Sequence, residues 1–282
     1  MKNKIKKAIN IGLLSLIPYL GYTSDKISPQ QSMWVWYHRD IDNIVSFCKE
    51  KNIDTIYISA HKLNENLSYF NELNKLMKNN NIKVFATISD SCNEKQPNSL
   101  HNNFELLKNY IDEIKKYNNE FAFDGIELDL EINFIDYTKR RQAYEDYLET
   151  LKKVKEIKDS LELRICVSKG WALESSKTIE QLEGIIDSID YMAYTQYIEG
   201  NSGENMLFFL NTLAKKTNLP IYYGVLFNEY QEKTTLSFYE EGTDYMYKQI
   251  DKLWNKNKFQ NLKGFAFHDY DNWKNVEEKN IK

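Results

Sequence analysis

The stretch FDGIELDLE, residues 123–131, decides the fold. Three acids alternate in it with three aliphatic residues: Glu127, Asp129 and Glu131 against Ile126, Leu128 and Leu130. Because successive side chains of a β-strand point to opposite faces, the acids share one face and the aliphatic residues share the other. Two structures fit this pattern. One is a solvated surface strand, and the other is a (β/α)8-barrel strand with its acids in the barrel interior and its aliphatic residues against the helices.

The order of elements along the chain favours the barrel. Apolar and β-branched runs predict eight strands, over residues 33–37, 55–59, 83–89, 123–131, 163–168, 188–195, 219–227 and 262–268. Helical patterns between them cover residues 40–51, 67–79, 99–118, 137–157, 201–216 and 244–254, with a short crossover over 178–186. Eight repeated βα units predict an α/β fold, a closed (β/α)8 TIM barrel that forms a single domain and whose last helix is short or missing.

The alternative fold is a doubly wound open sheet. Nucleotide-binding forms of that fold usually have a Gly-rich first βα turn, whereas residues 37–40 read YHRD.

Charge and residue spacing argue against several classes of ligand. The net charge of −4 gives no reason to expect a nucleic-acid partner. The three cysteines and four histidines show no metal-binding or disulfide spacing. We therefore expect no metal and no cofactor.

The N-terminal residues resemble a secretory signal peptide. A lysine-rich start precedes an apolar run over residues 8–22, AINIGLLSLIPYLGY. This run is shorter than the roughly 20 residues that a membrane span needs, so we expect no stable membrane insertion of the mature chain. Residues 1–24 are predicted to be a signal peptide or N-terminal anchor, residues 25–32 a linker and residues 33–282 the barrel. We expect a secreted or cell-surface monomer.

The predicted fourth strand resembles a family signature. Residues 124–131, DGIELDLE, are similar to the D-G-x-D-x-D-x-E strand of glycoside hydrolase family 18, the chitinases and endo-β-N-acetylglucosaminidases. Residues 192–194 (MAY) resemble the M-x-Y-D of its sixth strand, and residues 220–224 (PIYYG) resemble the P-x-Y-G of its seventh. The resemblance implies an O-glycosyl hydrolase acting on glycans that contain β-linked N-acetylglucosamine. It further implies a retaining, substrate-assisted mechanism without a protein nucleophile.

The resemblance also implies a role for each acid of the strand. Glu131 would protonate the leaving glycosidic oxygen and later activate water, and Asp129 would hold the 2-acetamido group of the sugar. Tyr194 would donate a hydrogen bond to the carbonyl oxygen of that group, while Asp124 and Glu127 would tune the charge on Asp129. Crowded carboxylates raise the pKa of one member, which is what a proton donor near neutral pH requires.

The chain departs from the family pattern at several positions. Glu127 replaces an aspartate, Thr195 replaces the aspartate after the tyrosine, and His268 lies near the place of the strand-eight tryptophan. These changes leave the proton donor intact but alter the expected shape of the sugar site. We expect substrate contacts from side chains near strand ends: Trp36, Trp171, Met192, Gln196, Tyr197 and His268. For each of them the alternative is core or rim packing.

Three other functions remain open from the sequence. The first is a catalytically inactive, chitinase-like carbohydrate-binding protein, which is disfavoured because such relatives typically lose the proton donor and Glu131 is present. The second is a barrel hydrolase for another sugar, with Asp129 or Glu127 as an ordinary carboxylate nucleophile. The third is a structural surface protein, which has only the departures in its favour.

Overall fold

Eight parallel strands close into one barrel, in which each strand pairs with the next along the chain and the eighth pairs with the first. The computed structural model describes residues 28–90, 100–121, 123–130, 132, 135–199, 205–230 and 235–280. The predicted single-domain (β/α)8 TIM barrel is therefore confirmed. The predicted signal segment, residues 1–24, and Glu131 lie outside the described residues.

The barrel strands are β1 (Gln30–Val35), β2 (Thr55–Ser59), β3 (Lys83–Ser89), β4 (Gly125–Asp129), β5 (Glu162–Ser168), β6 (Ser188–Met192), β7 (Ile221–Leu226) and β8 (Leu262–His268). The helices of the described ranges are α1 (Ile41–Lys51), α2 (Leu67–Asn79), α3 (Phe104–Phe121), α4 (Tyr137–Ile157), α5 (Lys169–Glu174), α6 (Ser176–Glu180), α7 (Met206–Ala214), α8 (Gly242–Lys256) and α9 (Tyr270–Asn280). Two 3-10 turns, Leu63–Glu65 and Leu100–Asn102, precede α2 and α3.

Two ends of the barrel differ from the predicted bounds. The first strand begins at Gln30, so part of the predicted linker belongs to the sheet. The reason is that the polar start of β1 pairs in register with β8, Gln30 opposite Gly264, and the hydroxyl of Tyr222 donates to Oε1 of Gln30 at 2.6 Å. The last helix is present, and its 11 residues match the length of α1.

The aliphatic residues of the strands fill the layer between barrel and helices. On β4, Ile126 and Leu128 are fully buried there. A separate cluster lies inside the barrel and consists of Trp34, Tyr57, Phe85, Cys166, Tyr222 and Ala266. Gly125 makes room for it, since a Cβ at that position would lie 2.3 Å from Cε1 of Phe85. The interior is therefore packed with large side chains below the level of the acids on β4.

Acidic residues secure the N-terminal ends of three strands. Asp54 accepts a hydrogen bond from the backbone N–H of Gln31 at 3.0 Å. Asp124 accepts a hydrogen bond from the backbone N–H of Val84 at 2.8 Å. Asp187 accepts one from the backbone N–H of Leu163 at 2.7 Å. Each acid precedes one strand and binds a backbone N–H near the start of the strand before it. These contacts satisfy amides at the bottom rim that would otherwise need water.

Candidate active site

Strand β4 directs its two described acids into the barrel. Ile126 and Leu128 face the helices, and the pleat of the strand places Glu127 and Asp129 on the opposite side. Glu127 is fully buried and Asp129 is 8% exposed. Of the two structures that the alternating pattern allowed, the solvated surface strand is therefore excluded.

Glu127 is held by side chains from three other strands. The indole Nε1 of Trp34 donates to its Oε2 at 3.1 Å, and the hydroxyl of Thr87 donates to the same oxygen at 2.6 Å. The thiol of Cys166 lies 3.4 Å from its other oxygen, Oε1. All three partners are uncharged, so they fix the position of the longer glutamate side chain without neutralising a negative charge.

The environment of Glu127 favours its protonated form. Burial raises the pKa of Glu127 well above its ordinary value, and the negative charges of Asp190 and Asp129 raise it further. The hydrogen bonds from Thr87 and Cys166 oppose the shift without cancelling it. Glu127 therefore carries a proton under conditions in which an exposed glutamate is ionised.

Asp190 on β6 is a buried acid that the sequence analysis missed. It is fully buried, and the hydroxyl of Tyr57 donates to its Oδ1 at 2.7 Å. Burial raises the pKa of Asp190 to about 6, although the positive charge of Arg164 and the bond from Tyr57 act in the opposite direction. The alternation rule applied to β4 would have found it, since Asp190, Met192 and Tyr194 occupy alternate positions.

Arg164 on β5 is a positively charged residue inside the barrel. It is the only buried lysine or arginine among the residues that the structure describes. Its guanidinium lies over the rings of Phe85 and Tyr222, 4.3 and 4.6 Å from their centroids. Its Nη1 donates to the hydroxyl oxygen of Tyr57 at 2.9 Å. Burial lowers the pKa of Arg164, but Tyr57, Asp190 and Tyr222 raise it by more, so the group stays charged.

The mouth of the barrel, at the C-terminal ends of the strands, is lined by Trp36, Tyr194 and His268. The indole Nε1 of Trp36 donates to Nε2 of His268 at 3.1 Å. Since an indole can only donate, the imidazole carries its proton on Nδ1, which lies 3.3 Å from Oδ1 of Asn228. Burial lowers the pKa of His268 and Asp269 opposes that shift. The mouth therefore presents a neutral, oriented imidazole.

Tyr194 reaches the mouth because its neighbour on β7 is a glycine. A Cβ at Gly224 would lie 2.9 Å from Cε1 of the Tyr194 ring. The ring centroids of Tyr194 and His268 are 6.1 Å apart, and that of Trp36 is 5.7 Å from His268. Together the three rings form a partly exposed aromatic rim above the acids of β4.

Asp124 lies away from this site, and its position does not support the predicted role in tuning Asp129. It precedes β4 at the N-terminal end of the barrel, is exposed, and binds the backbone N–H of Val84. Five residues separate it from Asp129, which at the rise of a β-strand is roughly 16 Å. Water and this distance screen the interaction between the two carboxylates.

Trp171 does not line the mouth, so the predicted sugar contact is not supported either. The side chain of Ser168 accepts a hydrogen bond from the backbone N–H of Trp171 and so caps the start of α5. This short helix turns the indole of Trp171 into the helical layer. The indole is 2% exposed, stacks on Tyr144 with an interplanar angle of 3°, and donates to Thr178 at 2.7 Å. This is a packing position.

The remaining predicted contact residues lie around β6. Met192 packs against the interior cluster. Gln196 is buried, and its backbone N–H donates to the carbonyl of Thr235 at 2.9 Å. Tyr197 is 43% exposed beside it, and Thr195 is buried. These positions are near the mouth, and the roles of Met192, Gln196 and Tyr197 in binding stay predictions.

The described ranges contain no group of three or more His, Cys, Asp or Glu side chains that could hold a metal ion. In the same ranges no helix combines the length and the apolar character that crossing a membrane requires.

No family model matches the chain, and no curated protein matches it either. Among solved structures it is similar to the chitinase RmChi1 of Rhizomucor miehei, with 12% identity over 86% of this chain and 95% of that one and a TM-score of 0.59. It is similar to the chitinase ChiW of a Paenibacillus species, with 13% identity over 86% of this chain and 41% of that one and a TM-score of 0.56.

A third similar structure carries a bound oligosaccharide. It is catalytic domain 2 of the Group II chitinase of Ostrinia furnacalis in complex with penta-N-acetylchitooctaose. The identity is 14% over 70% of this chain and 64% of that one, with a TM-score of 0.55, so the chain spans less than two thirds of that domain. At these identities the likenesses show a shared fold, so the chain has the same kind of barrel as these three chitinases.

Proposed function

We propose that the protein is a glycoside hydrolase that cleaves β-linked N-acetylglucosamine-containing glycans by a substrate-assisted, retaining mechanism. The observation that carries this proposal is the burial of Glu127 and Asp129 inside the barrel, where Trp34 contacts both Glu127 and the rim residue His268. A surface strand with the same sequence would offer separated, solvated carboxylates. Here the acids are crowded, and crowding controls which of them holds a proton.

The proposed reaction uses the substrate as its own nucleophile. The carbonyl oxygen of the 2-acetamido group attacks the anomeric carbon, while the leaving glycosidic oxygen takes a proton from Glu131 and departs as an alcohol. Asp129 accepts a hydrogen bond from the acetamido N–H, and Tyr194 donates one to the carbonyl oxygen. Water, deprotonated by the Glu131 carboxylate, then opens the cyclic intermediate with overall retention.

Glu127 has a supporting part in this proposal. Because its burial and its neighbours keep it protonated, Asp129 is the acid of the pair that carries the negative charge. That charge stabilises the positive charge that develops on the acetamido group as the ring closes. The glutamate at position 127 therefore performs the task that an aspartate performs in the family signature.

The rim would bind the sugar that is cleaved. Trp36 and Tyr194 offer apolar ring faces, and the neutral imidazole of His268 offers a smaller and more polar surface than an indole. Met192, Gln196 and Tyr197 would complete this binding surface. The replacement of a tryptophan by His268 changes the shape of the site, so the substrate must be found with a panel rather than a single glycan.

Hydrolysis of a panel of N-acetylglucosamine-containing oligosaccharides and glycopeptides tests the function. Wild type is compared with Glu131→Gln, and Glu149→Gln on the exposed face of α4 serves as the matched control. We expect wild type and the control to cleave, and Glu131→Gln to be slower by on the order of 10²-fold or more. Equal rates for wild type and Glu131→Gln would refute the role of Glu131.

Inhibitors separate the mechanism from that of an ordinary carboxylate nucleophile. A thiazoline mimic of the bicyclic oxazoline intermediate should inhibit the enzyme, whereas a fluorosugar that traps a covalent glycosyl-enzyme should not. The reverse pattern would make Asp129 or Glu127 the nucleophile. If wild type and Glu131→Gln both bind chitooligosaccharides and neither cleaves them, the protein is a carbohydrate-binding relative instead.

A further inference from the structure

The barrel interior holds more acidic than basic groups. Glu127 and Asp190 are fully buried and Asp129 nearly so, whereas Arg164 is the only buried cation that the structure describes. If all three acids were ionised, one guanidinium, which also pairs with the partly exposed Glu162 at 3.4 Å, would face three buried carboxylates. Burying three like charges beside one cation is unfavourable, so at least one of these acids holds a proton instead.

The contacts of Arg164 select the acid that is ionised. Its Nη1 donates to the hydroxyl of Tyr57 at 2.9 Å, and that hydroxyl donates to Oδ1 of Asp190 at 2.7 Å. The positive charge is thus linked to Asp190 through one phenol. Glu127, in contrast, has only the uncharged donors Trp34, Thr87 and Cys166.

The charge on Asp190 is only partly compensated. Its second oxygen, Oδ2, is buried without a hydrogen-bond partner in the described part of the chain. A carboxylate with one such oxygen exerts a strong field on its neighbours in a low-dielectric interior. Glu127 is the buried acid on which this field acts, because Cys166 is the register neighbour of Asp190 and its thiol lies 3.4 Å from Oε1 of Glu127. The negative charge of Asp190 accordingly raises the pKa of Glu127.

We propose that Asp190, held by Tyr57 and Arg164, is a positioning residue that keeps the interior proton on Glu127 and so leaves the negative charge on Asp129. Its consequence for catalysis rests on the proposed function, whereas its claim about protonation stands without it. Asp190 is not a catalytic residue, because it lies a layer below the rim and bonds only to Tyr57 among the described residues. The site therefore extends to β2, β5 and β6.

The electrostatics of the pair agree with this assignment. Burial raises the pKa of Asp190 to about 6, and burial together with Asp190 and Asp129 raises the pKa of Glu127 well above its ordinary value. The charge of Arg164 thus favours the ionised form of Asp190, whereas burial and two negative neighbours favour the protonated form of Glu127. The other titratable groups around the pair are Asp129 on β4, Cys166 and Arg164 on β5, Tyr57 on β2, Tyr222 on β7 and Tyr147 on α4.

Infrared spectroscopy of the carboxylic C=O stretch tests the proposal without any substrate. Near neutral pH the wild type should show a buried protonated carboxyl, and Glu127→Gln should lack it. In Asp190→Asn the repulsion by the Asp190 carboxylate disappears, so the ionised form of Glu127 becomes less unfavourable. We expect the midpoint at which Glu127 loses its proton to fall by about one pH unit or more.

Three further variants separate charge from structure. Asp190→Glu keeps the negative charge and should retain the Glu127 band. Cys166→Ser keeps a donor near Glu127 and changes no formal charge. Glu127 should therefore lose its proton at the same pH in this variant as in wild type. Tyr57→Phe removes the link to Arg164 without removing a charge, and the proton should shift from Glu127 toward Asp190. Two results would overturn the proposal. One is that Glu127 loses its proton at the same pH in Asp190→Asn as in wild type. The other is that the protonated-carboxyl band of the wild type belongs to Asp190.

The pH profile of hydrolysis then connects the proposal to catalysis. If Glu127 ionises earlier in Asp190→Asn, kcat/KM should begin to fall at lower pH than in wild type, and Asp190→Glu should restore the profile. A profile that does not move in Asp190→Asn would contradict the catalytic consequence. If no glycan is cleaved at all, the proposed function fails, and the infrared result still decides whether Asp190 controls the proton.

Discussion

Acidic residues serve opposite purposes at the bottom of the barrel and in its interior. At the bottom rim Asp54, Asp124 and Asp187 accept hydrogen bonds from backbone amides. In the interior Glu127, Asp129 and Asp190 are buried, and Arg164 is the one buried cation among the described residues. The comparison teaches that the same residue type is structural or functional according to its position along a strand.

The physical difference is access to water. Asp124 and Asp187 are exposed, so their charge is hydrated, and each holds one backbone N–H by a charge-assisted hydrogen bond; Asp187 also pairs with the ammonium of Lys158 at 3.1 Å. Glu127 and Asp190 have no such hydration, and each must be protonated or matched with a cation. Because that arrangement is costly to maintain, a cluster of this kind points to a function.

Removing the interior cation should have the largest effect on stability. Arg164→Met retains much of the apolar contact with Phe85 and Tyr222 but leaves Asp190 without a counter-charge. We expect a loss of about 3–5 kcal/mol in the free energy of unfolding at neutral pH. Since Asp190 takes up a proton below its pKa of about 6, the loss should shrink at lower pH. Denaturant unfolding at two pH values measures this, and a loss independent of pH would contradict it.

Two tryptophans extend the comparison to packing and binding positions. Trp171→Ala removes a buried ring stacked on Tyr144 and should cost about 3–5 kcal/mol of stability. It should leave the affinity for glycans unchanged. Trp36→Ala, at the partly exposed mouth, should cost less stability and weaken substrate binding. Thermal unfolding and KM for both variants provide the test, and similar profiles for the two would remove the distinction.

The dependence of stability on pH sharpens the role of Asp190. Its pKa is raised on folding, so its stabilising contribution is fully present below the unfolded pKa and is lost as pH rises to about 6. A shift of this size corresponds to about 3 kcal/mol. Wild type should lose stability over that interval relative to Asp190→Asn. Parallel curves for the two proteins would show that Asp190 does not titrate there.

Much of the fold could be predicted from the sequence because each element is bounded by clear signals. The predicted bounds of β2, β3, β8, α2 and α4 agree with the structure. Asp40 begins α1 as expected, since its side chain accepts from the backbone N–H of Asn43. The shared face of Glu127 and Asp129 followed from strand alternation, and its inward direction followed from the eight predicted βα units.

The parts of the site that the sequence did not reveal depend on contacts between distant strands. Arg164 and Asp190 lie in runs that resemble ordinary buried strands, and only the closed barrel links them through Tyr57. Trp171 follows a strand end, as a sugar-binding residue would, but the short helix that begins there turns it into the core. Asp124 belongs to the motif in sequence and to the opposite end of the barrel in space.

A matched pair of substitutions, one just before β4 and one at its end, tests the central claim most directly. Asp129→Asn and Asp124→Asn make the same chemical change five residues apart, and kcat/KM and unfolding are measured for both with the best substrate of the panel. Asp129→Asn should reduce kcat/KM by on the order of 10²- to 10³-fold. Asp124→Asn should leave kcat/KM unchanged and cost about 1 kcal/mol of stability. Unchanged turnover in Asp129→Asn, or an equal loss in Asp124→Asn, would contradict the division between interior and rim acids.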